Sequence, residues 1–123
     1  PGPEQEIGWH AIRRTRWAPA ILPHELTAFH WHGDTLDLPD SAVRLASSKA
    51  CRNQGFLYKK RVIGLQFHLE TTPASMEMLI SNCAHELVNA PCIQNVEPMR
   101  RGRVHVDKIN QAMTGVLDYL MQH

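Results

Sequence analysis

The stretch Val62-Ile63-Gly64-Leu65-Gln66-Phe67-His68-Leu69-Glu70 decides the fold. Its first six residues are nearly all apolar, a pattern typical of strands that are covered on both faces, as in α/β proteins. A histidine follows this run directly, and a carboxylate comes two residues later. Because residues i and i+2 of an extended chain point to the same face, we expect Glu70 to accept a hydrogen bond from the His68 ring. The stretch therefore predicts a buried strand that ends in a candidate base and its orienting carboxylate.

Around this stretch the apolar pattern changes along the chain from period two to period 3.6. Thr71-Thr72-Pro73 is typical of a helix start, and Asn89-Ala90-Pro91 is typical of a helix end. Strands come first and helices last, which favours an α/β or α+β layout. The predicted elements are strands at 7–12, 26–31 and 42–47, a hairpin of strands 53–58 and 61–68, and helices at about 71–88 and 107–121.

The composition is that of a globular domain. The chain has 123 residues, of which 43% are hydrophobic and 20% charged, and its formal net charge is +1. Neither a nucleic acid nor a membrane surface is expected as a partner, because no strong positive field is present. No apolar run approaches the roughly 20 residues that a membrane-spanning helix needs. The short basic run Arg100-Arg101-Gly102-Arg103 is predicted to be a solvated loop rather than a phosphate site.

The three cysteines, Cys51, Cys83 and Cys92, are an odd number without disulfide spacing. Reduced thiols in a cytoplasmic protein are the simplest interpretation. Cys83 lies on the apolar stripe of the first predicted helix and is expected in the core. A reactive thiol needs an activating base or a helix N-terminus beside it. None of the three cysteines is therefore predicted to be a nucleophile.

His30, His32 and Asp34 alternate along the second predicted strand and the turn after it. They share one face of the chain, and the His-x-His-x-Asp spacing could hold a metal ion. No second cluster completes such a shell in the sequence, so we predict no metal and no cofactor. We expect a structural turn, with contacts to substrate as the alternative. In that turn Gly33 would take a positive φ and Asp34 would bond back to backbone amides.

Three blocks of the sequence resemble one known family. Residues 64–70 closely resemble the G-V-Q-F-H-P-E signature of class I glutamine amidotransferases. His32-Gly33-Asp34 resembles the H-G-D turn of the GMP-synthase-type members, and Glu6-Ile7-Gly8-Trp9 resembles the strand that precedes it in stand-alone relatives. The blocks occur in the family's order, and the resemblance covers nearly the whole chain. Leu69 stands where proline is common, but proline only stiffens the turn.

The resemblance implies a three-layer, flavodoxin-like α/β fold with a mixed sheet, of which residues 1–123 would be the C-terminal part of one domain. It implies that His68 and Glu70 belong to a Cys-His-Glu triad that hydrolyses glutamine to glutamate and ammonia. The family's nucleophile lies upstream in a Gly-x-Cys-x-Gly elbow, and the 123 residues contain no such motif. The chain alone is therefore expected to be inactive, with the upstream half of the domain as its first partner.

Other functions and partners fit the same residues. The His-x-Glu pair by itself also fits a surface pair or a structural histidine. With the same fold, the domain could cleave a γ-glutamyl bond in a peptide or conjugate, or could be a non-catalytic amidotransferase-like domain. A synthase partner that takes up ammonia, or a second copy of the chain, is a further expected partner. The apolar strand also needs more cover than two amphipathic helices supply.

Overall fold

The computed structural model describes residues 5–16, 18–33, 37–49 and 51–122. These residues form a sheet followed by helices, which places the chain in the α/β class. Within the described residues, no helix is long and apolar enough to cross a membrane. The strands are β1 (Glu6–Arg14), β2 (Glu25–His32), β3 (Val43–Ser47), β4 (Gly55–Tyr58) and β5 (Val62–Leu65), and the helices are α1 (Pro73–Cys83), α2 (Val96–Arg101) and α3 (Val106–Gln122), with 3₁₀ turns at Ala84–Glu86 and Gly102–His105.

The five strands lie in the order β2-β1-β3-β4-β5, and each neighbouring pair is antiparallel. The predicted hairpin is confirmed. Lys59 and Lys60, between β4 and β5, take φ values of 53° and 62°, the left-handed conformation that a tight two-residue hairpin turn requires. A mixed sheet was expected from the resemblance. Among the described residues, parallel pairing occurs only at the single bridge between Ile7 and Ile93.

The core lies between the sheet and the helices. Trp9 on β1 is its central aromatic side chain: its indole N–H donates to the Met99 carbonyl oxygen at 2.9 Å, and its ring packs edge-on against Phe29 at 5.2 Å. Helix α3 buries side chains at a spacing of three and four residues, as an amphipathic helix should. Those α3 side chains are Val106, Ile109, Ala112 and Val116.

Strand β5 is less buried than its apolar sequence predicts. It ends at Leu65 rather than His68, lies at the edge of the described sheet, and leaves Val62 52% exposed. Beyond β5, the backbone leaves this edge of the sheet and reaches β2 at His68. The Gln66 N–H donates to the Gln54 carbonyl at 2.8 Å, and the His68 N–H donates to the Phe29 carbonyl at 2.8 Å. Val62 is exposed and the other three residues of β5 are half-buried, so the described residues do not supply the cover that the sequence predicts for both faces of this strand.

The helical region differs from its prediction in two places. Helix α1 ends at Cys83, and a 3₁₀ turn replaces the predicted continuation to residue 88, because apolar side chains spaced three apart suit both conformations. The basic run 100–103 was predicted to be a loop, which is wrong: it spans the end of α2 and the 3₁₀ turn after it. Helix α2 was not predicted from the sequence; its Pro98 lies in the first helical turn, where proline is tolerated.

Candidate active site

The sequence-predicted pair of His68 and Glu70 is brought together as expected. Nδ1 of His68 lies 2.6 Å from Oε1 of Glu70, and the two side chains are 39% and 60% exposed. A carboxylate only accepts, so Nδ1–H donates, and in the neutral ring Nε2 is the nitrogen that carries the lone pair. The geometry therefore presents an oriented, solvent-accessible base at the surface of the domain.

The segment that carries this pair is held from three directions. The backbone of His68 is bonded to β2, as described above. Leu69 is fully buried, so it anchors the segment between the two polar residues. From α3, the Asn110 side-chain amide donates to the carbonyl oxygens of Leu69 and Thr71, at 2.8 and 3.2 Å. The pair is thus fixed by tertiary contacts rather than by strand geometry alone.

Helix α1 begins immediately after the pair. Thr72 caps it: its side-chain oxygen accepts from the Ser75 N–H at 3.1 Å, and the Ser75 hydroxyl accepts from the Thr72 N–H at 2.9 Å. This reciprocal capping confirms the predicted helix start. The cap fixes the direction in which α1 leaves the site, so one side of the helix lines the space beside His68.

A concavity of about 410 Å³ opens beside the pair. Two larger concavities, of about 570 and 560 Å³, lie elsewhere on the surface. We assign the candidate active site to the smaller one because it alone of the three is lined by both members of a histidine–carboxylate pair. Its lining residues are His68, Glu70, Thr71, Ser75, Met78, Leu79, Asn82 and Cys83.

All three cysteines are reduced in the structure, as predicted. Cys83 is half-buried and lines the concavity, rather than lying in the core as its place on the apolar stripe predicted. Burial raises the pKa of the Cys83 thiol, and the neighbouring Glu86 carboxylate raises it further. A raised pKa keeps the thiol protonated, whereas a nucleophile requires the thiolate. Cys83 therefore lies near the base without the electrostatic environment of a nucleophile.

His32 belongs to a second cluster, which it forms with Glu6 and His30. Gly33 follows His32 in the chain, and Asp34 lies outside the described residues. Nε2 of His32 is 3.3 Å from Oε1 of Glu6 and 3.3 Å from Nδ1 of His30. Gly33 was predicted to have a positive φ, and this is wrong. A side chain at Gly33 would instead crowd the neighbouring Gln5, with its Cβ only 3.0 Å from Gln5 Cγ.

The sequence interpretation missed Glu6 as a member of this cluster. Glu6 stands opposite His32 in the β1–β2 register and is only 1% exposed. Ser48 donates to it at 2.9 Å, and the Gln54 amide donates to its other oxygen. A glutamate directly before the apolar residues Ile7-Gly8-Trp9 was the available signal, because charged residues are almost never fully buried unless paired.

The cluster shifts the pKa of two of its members. Burial on its own raises the pKa of the Glu6 carboxyl, but hydrogen bonds from His32 and Ser48 and the charges of His30 and His32 outweigh it and lower that pKa to about 2. For His30, burial is the main cause and lowers the pKa to about 4, against the opposing effect of Glu6. At neutral pH the cluster therefore contains an ionised Glu6 and a neutral His30.

The two clusters lie on opposite faces of β2. The Phe29 ring is 6.5 Å from the His68 ring, whereas the next residue, His30, has its ring 6.1 Å from Phe67. Successive residues of a strand point to opposite faces. Accordingly, His32 is not among the residues that line the concavity beside His68.

Comparison with known proteins agrees with this fold. The model of the class-I glutamine amidotransferase family matches residues 13–87. Because that match covers more than half of the chain, the chain belongs to this family.

Individual relatives extend the likeness to nearly the whole chain. The glutamine amidotransferase-like protein YfeJ of Salmonella typhimurium is 35% identical over 129 residues, which cover 96% of this chain and 52% of YfeJ. The crystal structure of a glutamine amidotransferase from Methylobacillus flagellatus matches with a TM-score of 0.91 at 25% identity, over 98% of this chain and 53% of that one. One from Thermotoga maritima matches with a TM-score of 0.77 at 29% identity, over 99% and 54%. The predicted amidotransferase fold is confirmed, and the chain spans about half the length of these relatives.

Proposed function

We propose that this chain supplies the base and its orienting carboxylate to a glutamine-hydrolysing site. The observation that carries the proposal is the 2.6 Å contact between His68 Nδ1 and Glu70 Oε1 beside an open concavity. A carboxylate on one ring nitrogen sets the tautomer and leaves the other nitrogen as a base. Membership of the amidotransferase family supports the same reaction class.

The proposed reaction assigns one role to each side chain. A cysteine thiol attacks the side-chain amide carbon of glutamine, and His68 Nε2 takes the thiol proton. The resulting imidazolium passes that proton to the departing nitrogen, which leaves as ammonia. His68 then deprotonates a water molecule, which hydrolyses the thioester to glutamate and returns the thiol. Glu70 stabilises the imidazolium that forms twice in this cycle.

The nucleophile in this proposal comes from polypeptide outside the 123 residues. The sequence contains no Gly-x-Cys-x-Gly elbow, and the raised pKa of Cys83 disfavours it as a substitute. The chain spans about half the length of its relatives, which leaves a second half to contribute the thiol. We therefore expect no glutaminase activity from the 123-residue chain alone. Ammonia release by that chain, lost on His68→Ala, would overturn this expectation.

The test of the reaction uses the longer protein that contains this chain. Glutamate release from glutamine is measured for the unaltered protein, His68→Ala and Glu70→Gln, with His85→Ala as the matched control because His85 is an exposed histidine. We expect each site variant to lose at least about a hundredfold in kcat, the scale of a general base, and the control to keep its activity. Unchanged turnover in His68→Ala would refute the proposed role.

The same variants separate the two enzymatic substrate classes. A γ-glutamyl peptide is assayed beside glutamine under identical conditions. Preference for glutamine supports the glutaminase reaction of an amidotransferase, whereas preference for the peptide supports a γ-glutamyl hydrolase of the same fold. Activity towards neither substrate in the longer protein would support a non-catalytic domain instead.

A further inference from the structure

We infer that Glu6, His30 and His32 form a binding site for one divalent transition-metal ion of the Zn²⁺ type. Each residue offers one ligand atom, and these atoms lie within 4.8 Å of one another. In the part of the chain that the structure describes, this is the one group of three such side chains that converges. Two imidazoles and a carboxylate are a ligand set that zinc takes in proteins.

Two of the three ligand-atom separations fit a tetrahedral ion. Metal–ligand bonds of about 2.0–2.1 Å place neighbouring ligand atoms of a tetrahedron about 3.3–3.4 Å apart. His32 Nε2 lies 3.3 Å from His30 Nδ1 and 3.3 Å from Glu6 Oε1. Two of the three separations therefore match edges of a coordination tetrahedron, and all three ligand atoms lie within 4.8 Å of one another.

The ligands are oriented by a second layer of contacts. The Nε2–H of His30 donates to the His10 carbonyl oxygen at 3.1 Å, which leaves the lone pair of Nδ1 directed towards the cluster. Ser48 and Gln54 donate to the two oxygens of Glu6. Metal-binding histidines characteristically donate their other ring N–H to a carbonyl or carboxylate, and metal-binding carboxylates are themselves hydrogen-bonded.

The charge of the cluster favours a cation. The Glu6 carboxyl group is almost completely buried. Among the described residues its one ion-pair partner is His32, and no lysine or arginine provides a fixed positive charge within ion-pair distance. Its other partners, Ser48 and Gln54, are neutral hydrogen-bond donors. A bound divalent ion would therefore add a fixed positive charge beside a buried carboxylate.

The site also has a route to solvent. A concavity of about 560 Å³ is lined by Glu6, His10, Ser48 and their neighbours, including Lys49 and Cys92. It gives an ion access to the Glu6 carboxylate and room for a water molecule as the fourth ligand. Because this cluster and His68 lie on opposite faces of β2, we assign the ion a structural role that joins β1 to β2.

The binding test titrates chelator-treated protein with Zn²⁺ by calorimetry and with Co²⁺ by visible absorption. We expect one equivalent to bind and cobalt to give the strong ligand-field bands of a tetrahedral site. His32→Gln should weaken binding at least about tenfold, whereas the matched variants His24→Gln and His85→Gln, which alter exposed histidines, should leave it unchanged. Equal affinity in all three variants, or no binding, would overturn the inference.

A second measurement does not depend on the folding of any variant. X-ray absorption of the zinc-loaded, unaltered protein should show two imidazole nitrogens and oxygen at about 2.0–2.1 Å. Sulfur in the coordination shell would assign the ion to a cysteine and would refute this site. Saturation of all eight histidines of the chain without a preferred stoichiometry would do the same.

Discussion

Replacing Asn110 by alanine removes the link between α3 and the segment that presents His68 and Glu70. The side-chain amide of Asn110 donates to the carbonyl oxygens of Leu69 and Thr71, at 2.8 and 3.2 Å. Leu69 is fully buried and Thr71 is 4% exposed, so neither carbonyl gains water without local opening of the segment. The substitution should therefore reduce both global stability and the order of the proposed active site.

The magnitude follows from the two hydrogen bonds. Each is worth about 0.5–1.5 kcal/mol of unfolding free energy, which sums to about 1–3 kcal/mol. The higher helix propensity of alanine offsets up to about 0.7 kcal/mol of this loss in unfolding free energy. The expected net loss is about 1–2 kcal/mol, and the melting temperature should fall by roughly 5 °C or more. Asn110→Asp should be at least as destabilising, because a carboxylate cannot donate to either carbonyl.

The assay is urea unfolding of Asn110→Ala, with Asn82→Ala as the matched control. Asn82 is an exposed helical asparagine that lines the same concavity, so its substitution reports the gain in helix propensity alone. NMR of the His68 ring then reports whether Nδ1 stays bonded to Glu70 in each variant. If Asn110→Ala is as stable as Asn82→Ala and the His68 signals do not move, the argument that α3 positions the site is refuted.

Three further predictions concern packing, pH and charge. Gly102→Ala should cost about 1–3 kcal/mol in chemical denaturation, because the new Cβ would overlap the Trp9 indole ring, as in other overpacked cores; wild-type stability would contradict this. The lowered pKa of the Glu6 carboxyl means that its ionised form stabilises the fold above pH 4.5. In a chelator buffer, the free energy of unfolding should therefore fall by about 3 kcal/mol between pH 5 and pH 2. The Glu6→Gln variant should show a smaller decline over the same range. Arg100→Ala removes an exposed pair with Glu77 and should barely change the melting temperature at either low or high salt.

The pair of His68 and Glu70 was predictable because it is local. One residue separates His68 from Glu70, so the alternation of side chains along the chain is enough to predict that the two side chains meet, although tertiary contacts then hold the segment in place. The same locality explains why the β4–β5 hairpin and the capped start of α1 at Pro73 were predicted correctly. Each depends on residues within one or two turns of chain.

The sequence determined the α/β class, the strand-then-helix order and the oriented histidine, because these follow from periodicity and near-neighbour chemistry. The tertiary structure alone decided which residues meet across strands. Glu6 joins His30 and His32 only through the β1–β2 register, and Asn110 reaches the loop before α1 from about 40 residues further along the chain. Pairing partners that are distant in sequence leave no periodic signal, because either register and either face would be consistent with the same apolar pattern until the chain folds.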